Sequence, residues 1–243
     1  MENGGVFVKK IIIAALAAAV AFSIFFYLLL QAAPPPQPVF APQRYGSAAL
    51  VIDAGHGGED GGAVSLSGAS ESAVNLAVAR RLDLILGLYG VPVTMLRTQD
   101  VSLHSPDAET LRQKKVSDLH NRVDAINAAE NAVLISIHQN SFPQQRYSGA
   151  QVFYAPTEGS QPFAEYTQEV LRVSLDESNQ RSATQIPDSV YLMNHIDCPA
   201  ILVECGFLSN PAEDQLLQTP EYQLMLAVSL AGSYLQYQQM IRE

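Results

Sequence analysis

The chain has 243 residues, 48% of them hydrophobic, with 14 basic and 24 acidic side chains and a formal net charge of −10. That balance argues against a nucleic acid, or any anionic polymer drawn in by long-range attraction, as a partner, so binding must come from local pocket contacts. Two cysteines, Cys198 and Cys205, exclude a disulfide-dense scaffold and a cysteine-rich metal site.

At the N-terminus, Lys9-Lys10 precedes residues 11–30, an apolar run without a charged side chain. As a helix it would be about 30 Å long, enough to cross a bilayer. No basic residue follows until Arg44, so the charge bias puts residues 1–10 in the cytoplasm and everything after the span outside. The run is longer than a signal-peptide core of roughly 7 to 15 residues, and Gln31-Ala32-Ala33 makes a poor cleavage site, so an uncleaved anchor is expected. Residues 31–45, with Pro34, Pro35, Pro36, Pro38 and Pro42, read as an extended spacer. Residues 46–243 are then enough for one well-cored domain.

Within that domain, residues 48–53 (AALVID) are a short apolar strand ending abruptly in Gly55-His56-Gly57-Gly58. Ser70 is a candidate N-cap for a helix from Glu71 to about 86, with Val74, Val78, Leu82 and Ile85 at helical spacing and Gly87 and Gly90 to break it. Strands are expected at 91–97, 132–137, 151–154 and 200–204, and a short one at 191–193. Helices are expected at 119–129, near 162–175 and from 221 onward. Residues 98–117 read as a long polar connection that can line or cover a cleft. Strands apolar on both faces, alternating with helices, indicate an α/β fold: a mainly parallel twisted sheet of about six strands flanked by helices, preceded by the transmembrane helix. A strand at 200–204, rising about 3.3 Å per residue, separates Cys198 and Cys205 too far to bridge, so both are expected as free, mostly buried thiols.

In open α/β sheets ligands sit beyond the carboxyl ends of the strands. His56 follows the first strand, His138 ends the one at 132–137, and Glu204 ends a late one, so all three fall on one edge. Glycines around His56 remove bulk and permit positive φ. Period-two alternation puts Ser136, His138 and Asn140 on one face, a polar stripe that needs partners. Glu204 closes the apolar run AILV, where an ionised carboxylate is costly unless compensated, while Cys205 points to the opposite face. Two imidazoles and a carboxylate leave a zinc ion an open fourth position, and a further carboxylate can act as base. For the third ligand, Glu71 at a helix N-terminus is a rigid platform, whereas Glu59 forms a His-x-x-Glu pattern like that of zinc carboxypeptidases and Asp60 is also near. A helix start leans toward Glu71 without deciding the matter. His104, His120 and His195 lie in polar stretches and are expected to be solvated.

The segments VIDAGHGGEDGGA at 51–63, Glu71 with Asn75-Leu76, Arg97-Thr98, NRVDAIN at 121–127, SIHQN at 136–140 and PAILVECGFLSN at 199–210 together resemble the zinc-dependent N-acetylmuramoyl-L-alanine amidases of the type 3 catalytic domain. The similarity covers nearly everything after the proline spacer. It implies that His56, Glu71 and His138 bind Zn2+ and that Glu204 is the general base in hydrolysis of the amide joining N-acetylmuramic acid to L-alanine in peptidoglycan. Ala54 stands where the family usually has proline, and Cys205 where an apolar residue or threonine is usual. Leu111-Arg112-Gln113, SGAQVFY at 148–154, Tyr191-Leu192-Met193 and FLSNPAE at 207–213 are similar to the membrane-anchored, germination-specific branch found in endospore formers. That branch implies a place in the forespore envelope and a role in spore cortex: peptides are stripped from muramic acid so that a muramic acid deacetylase can prepare muramic δ-lactam. The sequence shows no obvious inserted helix to plug the site, so control is expected from expression timing, membrane placement or a regulatory protein partner. The competing readings are a zinc carboxypeptidase built on His56, Glu59, His138 and Glu204, and a non-catalytic, membrane-tethered peptidoglycan-binding module.

Overall fold

The structure, a computed structural model, describes residues 49–241. The expected anchor at 11–30 and spacer at 31–45 lie outside the described residues. Among the described residues no helix is long and apolar enough to cross a membrane.

Six strands form one sheet: β1 (Ala49–Ala54), β2 (Val93–Met95), β3 (Ala132–Asn140), β4 (Gln151–Tyr154), β5 (Thr184–Gln185) and β6 (Ala200–Phe207), in the order β2-β1-β3-β6-β4-β5. β2, β1, β3 and β6 run parallel, and β4 enters antiparallel to β6. The expected mainly parallel α/β sheet is therefore present. Leu50, Val51 and Ile52 of β1 are completely buried, as a strand covered on both faces requires.

Helices α1 (Glu71–Leu88), α3 (Ser160–Leu175) and α6 (Pro220–Met240) share one core with the sheet, through Val78, Leu82, Phe163 and Leu230. Helices α2 (Leu111–Asn127) and α4 (Tyr191–Asn194) cover the other face through Val123, Ile126, Leu192 and Met193. A short helix, α5 (Pro211–Leu217), follows β6 and is capped by Asn210. Ser70 caps α1 as expected, accepting from the Ala73 N–H at 3.3 Å. The helix runs through Gly87 and ends at Leu88, just before Gly90 at φ +69°.

Three expectations are corrected. Residues 111–118 belong to α2, opened by a capping box in which Thr110 and Gln113 satisfy each other's backbone. None of residues 111–117 is buried, so those two turns carry no apolar stripe to betray them. Residues 191–194 form one helical turn, with Leu192 and Met193 both buried, where a strand would have turned one outward. The strand expected at 91–97 shrinks to Val93–Met95, the residues that pair with β1.

The end of β1 is held by two buried arginines. Arg122 of α2 donates to Asp53 Oδ1, to Ala54 O at 3.1 Å, to His56 O at 2.8 Å and to Asp118 at 2.6 Å. Ser136 Oγ donates to the other Asp53 oxygen at 2.8 Å. Arg97, just past β2, donates to Ala54 O, Gly55 O and Ser72 O at 2.8 to 3.0 Å. Burial works against the Asp53 carboxylate, yet Arg122 and Ser136 hold its pKa below the ordinary value.

Arg122→Ala leaves Asp53 charged and unpaired at 1% exposure, and is expected to cost about 3–5 kcal/mol in urea unfolding. Because the folded Asp53 pKa is depressed, the pair's contribution is present above the unfolded carboxylate value of 3.8 and is lost as pH falls through the folded one. The gap between wild type and variant should therefore narrow on acidification below that value; a gap constant with pH would remove Asp53 from the account.

Candidate active site

His56, His138 and Glu204 meet at the carboxyl edge of the sheet, as their strand positions predict. His56 lies two residues beyond β1 with φ +61°, so the histidine shares the positive φ of Gly57 and Gly58 that follow it in this turn. His138 and Glu204 are register partners in the β3–β6 ladder. Between His138 and Asn140 the register shifts, and Asn140 pairs with Phe207, so β6 carries one extra residue just past the carboxylate. Cys205 turns into the opposite core, as alternation requires. Both cysteines are free, Cys205 buried and Cys198 half-buried.

Glu71, the first residue of α1, sits between the two imidazoles. Its Oε2 is 3.3 Å from His56 Nε2 and its Oε1 is 3.0 Å from His138 Nδ1. The backbone N–H groups of Ala63 and Gln139 donate to the same carboxylate at 2.9 and 3.1 Å. One ligand atom from each of His56, Glu71 and His138 falls within 4.8 Å of the others, a grouping able to hold a metal ion. The imidazole rings stand nearly edge to face, with centroids 5.1 Å apart. Close approach depends on two glycines: a Cβ at Gly55 would fall 2.2 Å from the His138 ring, and one at Gly62 would fall 2.6 Å from Glu71 Oε2.

Burial opposes the Glu71 charge, but the two histidines hold it well below the usual carboxylate range. Burial likewise disfavours imidazolium, yet Glu71, with Asp60, raises His56 to about 9, and Glu71 raises His138. A buried carboxylate between two imidazoles thus attracts positive charge, which a divalent cation supplies as well as protons do. Glu204 is of the opposite character: burial pushes it up to about 7, with Glu71 adding and the histidines opposing. Its Oε2 is buried and has no hydrogen-bond partner among the described residues. An orphaned buried acceptor beside two imidazoles and a carboxylate fits a bound cation and its solvent.

Glu59 is not part of this grouping. It is exposed and pairs with Lys114 at 2.6 Å. Asp60 reaches His56 from outside, accepting from Nδ1 at 3.1 Å and leaving Nε2 to face Glu71; its other oxygen meets Lys115 at 2.9 Å. His120 and His195 are exposed as expected, and both rings lie against Tyr191. His104 differs: it is half-buried, with Nδ1 2.9 Å from Ser102 Oγ in the loop tied to Asp118.

Spacing did not disclose the residues that aim the histidines. Nothing in the spacing of Arg97, Arg122 or Asn75 singles them out. Asn75 lies one turn beyond Glu71, donates to Gly55 O at 3.1 Å and accepts from Gln139 Nε2 at 3.2 Å. The only advance signal was their place in the segments carrying the family resemblance. Beside the histidines a cavity of about 250 Å³ opens toward α2 and α4, lined by His56, His138, Lys115, Arg122, Tyr191 and Met193 among others.

Residues 50–233 match the family model described as N-acetylmuramoyl-L-alanine amidase. The chain is 40% identical over 189 residues to a germination-specific N-acetylmuramoyl-L-alanine amidase of Bacillus subtilis (strain 168), covering 77% of this chain and 78% of that one. The structure is similar to the CwlD amidase from Clostridioides difficile, solved in complex with the GerS lipoprotein, with a TM-score of 0.76 and 34% identity over 79% of this chain and 99% of that one. It is also similar to an N-acetylmuramoyl-L-alanine amidase from Clostridium difficile 630, with a TM-score of 0.68 and 28% identity over 78% and 96% of the two chains. With the matched segment spanning β1 to α6, and so every residue of the site, the chain belongs to the N-acetylmuramoyl-L-alanine amidase family.

Proposed function

We propose that the amidase is zinc-dependent, with His56, Glu71 and His138 as the ligands of Zn2+ and Glu204 as the general base. The observation that carries this reading is the convergence of those three ligand atoms within 4.8 Å beside the buried, unpartnered Glu204 Oε2. The bond cleaved is the amide between the lactyl group of N-acetylmuramic acid and L-alanine in peptidoglycan. When bound, zinc supplies Lewis acidity and makes water easier to deprotonate. Glu204 Oε2 takes the proton from the attacking water and returns it to the leaving amine, so the reaction needs no covalent enzyme adduct. Asp60, accepting from Nδ1, keeps His56 in the tautomer that offers Nε2. Glu71 stays ionised at any ordinary pH because both imidazoles and two backbone N–H groups face it.

The carboxypeptidase arrangement finds no support in this geometry, since Glu59 is engaged with Lys114 at the surface. In our reading the enzyme is tethered outside the cell membrane by residues 11–30, with its N-terminus in the cytoplasm, and works in the forespore envelope. The name of the Bacillus subtilis relative supports a role in spore cortex, where freed muramic acid passes to a deacetylase and becomes muramic δ-lactam. The complex of the Clostridioides difficile relative with the GerS lipoprotein supports a protein partner for this chain as well, which we take to be regulatory.

Glu204→Gln is expected to keep full zinc content by metal analysis while peptide release from purified peptidoglycan, followed by mass, falls about 10²- to 10⁴-fold; wild-type turnover by that variant would remove the base. Glu71→Ala is expected to lose zinc and Glu59→Ala to retain it, and the reverse pattern would restore the competing ligand set. Spores of a strain lacking this chain should have cortex without muramic δ-lactam on muropeptide analysis, and a normal δ-lactam content would detach the enzyme from that role.

A further inference from the structure

Just past the carboxyl ends of β3 and β6 lies an aromatic cluster that the proposed chemistry does not use. The rings of Phe142 and Tyr147 have centroids 5.5 Å apart, and both pack on Phe207, at 5.9 and 6.3 Å. Phe207 is fully buried and forms the base, while Phe142 and Tyr147 remain 47% and 37% exposed. The Arg181 guanidinium stands 4.6 Å from the Phe207 centroid and that of Arg146 stands 5.3 Å from Tyr147. Residues 141–148 are exposed throughout, yet the loop is tied along its length. Phe142 N donates to Ser209 Oγ at 3.0 Å, Asn210 Nδ2 to Tyr147 O at 3.1 Å, Arg181 Nε to Ser148 O at 2.8 Å and Gly149 N to Glu213 at 2.8 Å. The rings are therefore held in place before any ligand arrives, which lowers the ordering cost of binding.

The cluster is continuous with the site. Phe207 follows Glu204 by three residues, roughly 10 Å along the strand. Gln151, the antiparallel partner of Glu204, accepts from Arg181 Nη1 at 2.7 Å. The two sides of the strand ends thus differ in shape: a cavity of about 250 Å³, lined by His56 and His138, toward α4, and an open aromatic surface past Phe207. A cavity of that size suits the short peptide end of a substrate. A polymer that continues in both directions needs an open surface.

We propose that Phe142 and Tyr147 form a glycan subsite, on which pyranose rings of the substrate's N-acetylated sugar strand stack. This rests on the amidase reading, which supplies the polymer. A pyranose presents an apolar C–H face rimmed by hydroxyls, matching the exposed apolar ring of Phe142 beside Tyr147, with the Arg146 guanidinium near enough to Tyr147 to offer N–H donors. It is also the class of ligand that a chain of net charge −10 can recruit without long-range attraction. Paired exposed aromatics are otherwise a solubility liability.

The test uses the zinc-loaded full chain in detergent, with Glu204→Gln as the non-cleaving parent and peptide-free glycan strands as the probe. Phe142→Ala/Tyr147→Ala added to that parent is expected to weaken glycan binding about tenfold, and Phe142→Tyr/Tyr147→Phe to restore it, since the ring faces return. Val173→Ala, a change at an exposed residue of α3, serves as the control. In the cleaving enzyme the double alanine variant should raise KM on polymeric peptidoglycan more than on a single-sugar muramoyl peptide, with unchanged thermal unfolding. Glycan affinity equal to that of the parent, or an equal loss on both substrates, would overturn the subsite. Because glycan binding is read on a non-cleaving protein, failure of wild type to release peptide would count against the amidase reading and leave the binding comparison to decide the subsite.

Discussion

The site depends on a problem of backbone hydrogen bonding. β1 stops at Ala54, and the carbonyls of Ala54, Gly55 and His56, at and just past its end, take their donors from side chains. A buried carbonyl without a donor costs about as much as a lost hydrogen bond. Arg97 and Arg122, with Asn75, supply the donors: two guanidiniums to Ala54 O, Arg97 and Asn75 to Gly55 O, and Arg122 to His56 O. Each is rooted in a different element, past β2, in α2 and in α1, so the turn is held from three sides. His56 can then keep a left-handed backbone that an unsupported chain would leave.

Charge compensation couples this frame to the chemistry. Arg122 is kept in the core by Asp53 and Asp118, and Asp53 by Ser136, so β1, α2 and β3 share one buried network. Two residues along β3 from Ser136, His138 leaves that network and faces Glu71. Glu71 in turn receives N–H groups from the loop before its helix and from β3, which fixes the carboxylate against both imidazoles. The extra residue in β6 turns the chain just after Glu204, leaving that carboxylate on the site face while Phe207 passes to the aromatic cluster. The same strand end therefore serves the site and the surface beside it.

The elements most legible along the chain were those with a strong apolar signal. β1, β4, α1 and α3 lie within a few residues of their expected bounds, because the two strands are short apolar runs bounded by turns and the two helices bury residues at helical spacing. The misplaced ones lacked that signal. The first two turns of α2 bury nothing and are opened by a capping box; α4 is a single turn; β5 is two exposed residues paired with β4.

For the site, His56, His138 and Glu204 were legible because each ends or follows an apolar strand, and parallel strands must present their carboxyl ends on one edge. Asp60 and Glu59 were equally legible as carboxylates near His56, and spacing could not rank them against Glu71. The family resemblance pointed to Glu71, and the physical grounds lie in tertiary structure: where the α1 N-terminus lands, which side of the turn faces β3, and that Lys114 of α2 pairs with Glu59 at the surface. The same holds for Arg97, Arg122 and the aromatic cluster at 142, 147 and 207. The chain by itself determined an α/β sheet, a polar edge and the residue types for a metal hydrolase, since these follow from local periodicity and side-chain chemistry. Which carboxylate joins the histidines, and what holds them, was decided by contacts between residues up to 69 positions apart, which no local pattern encodes.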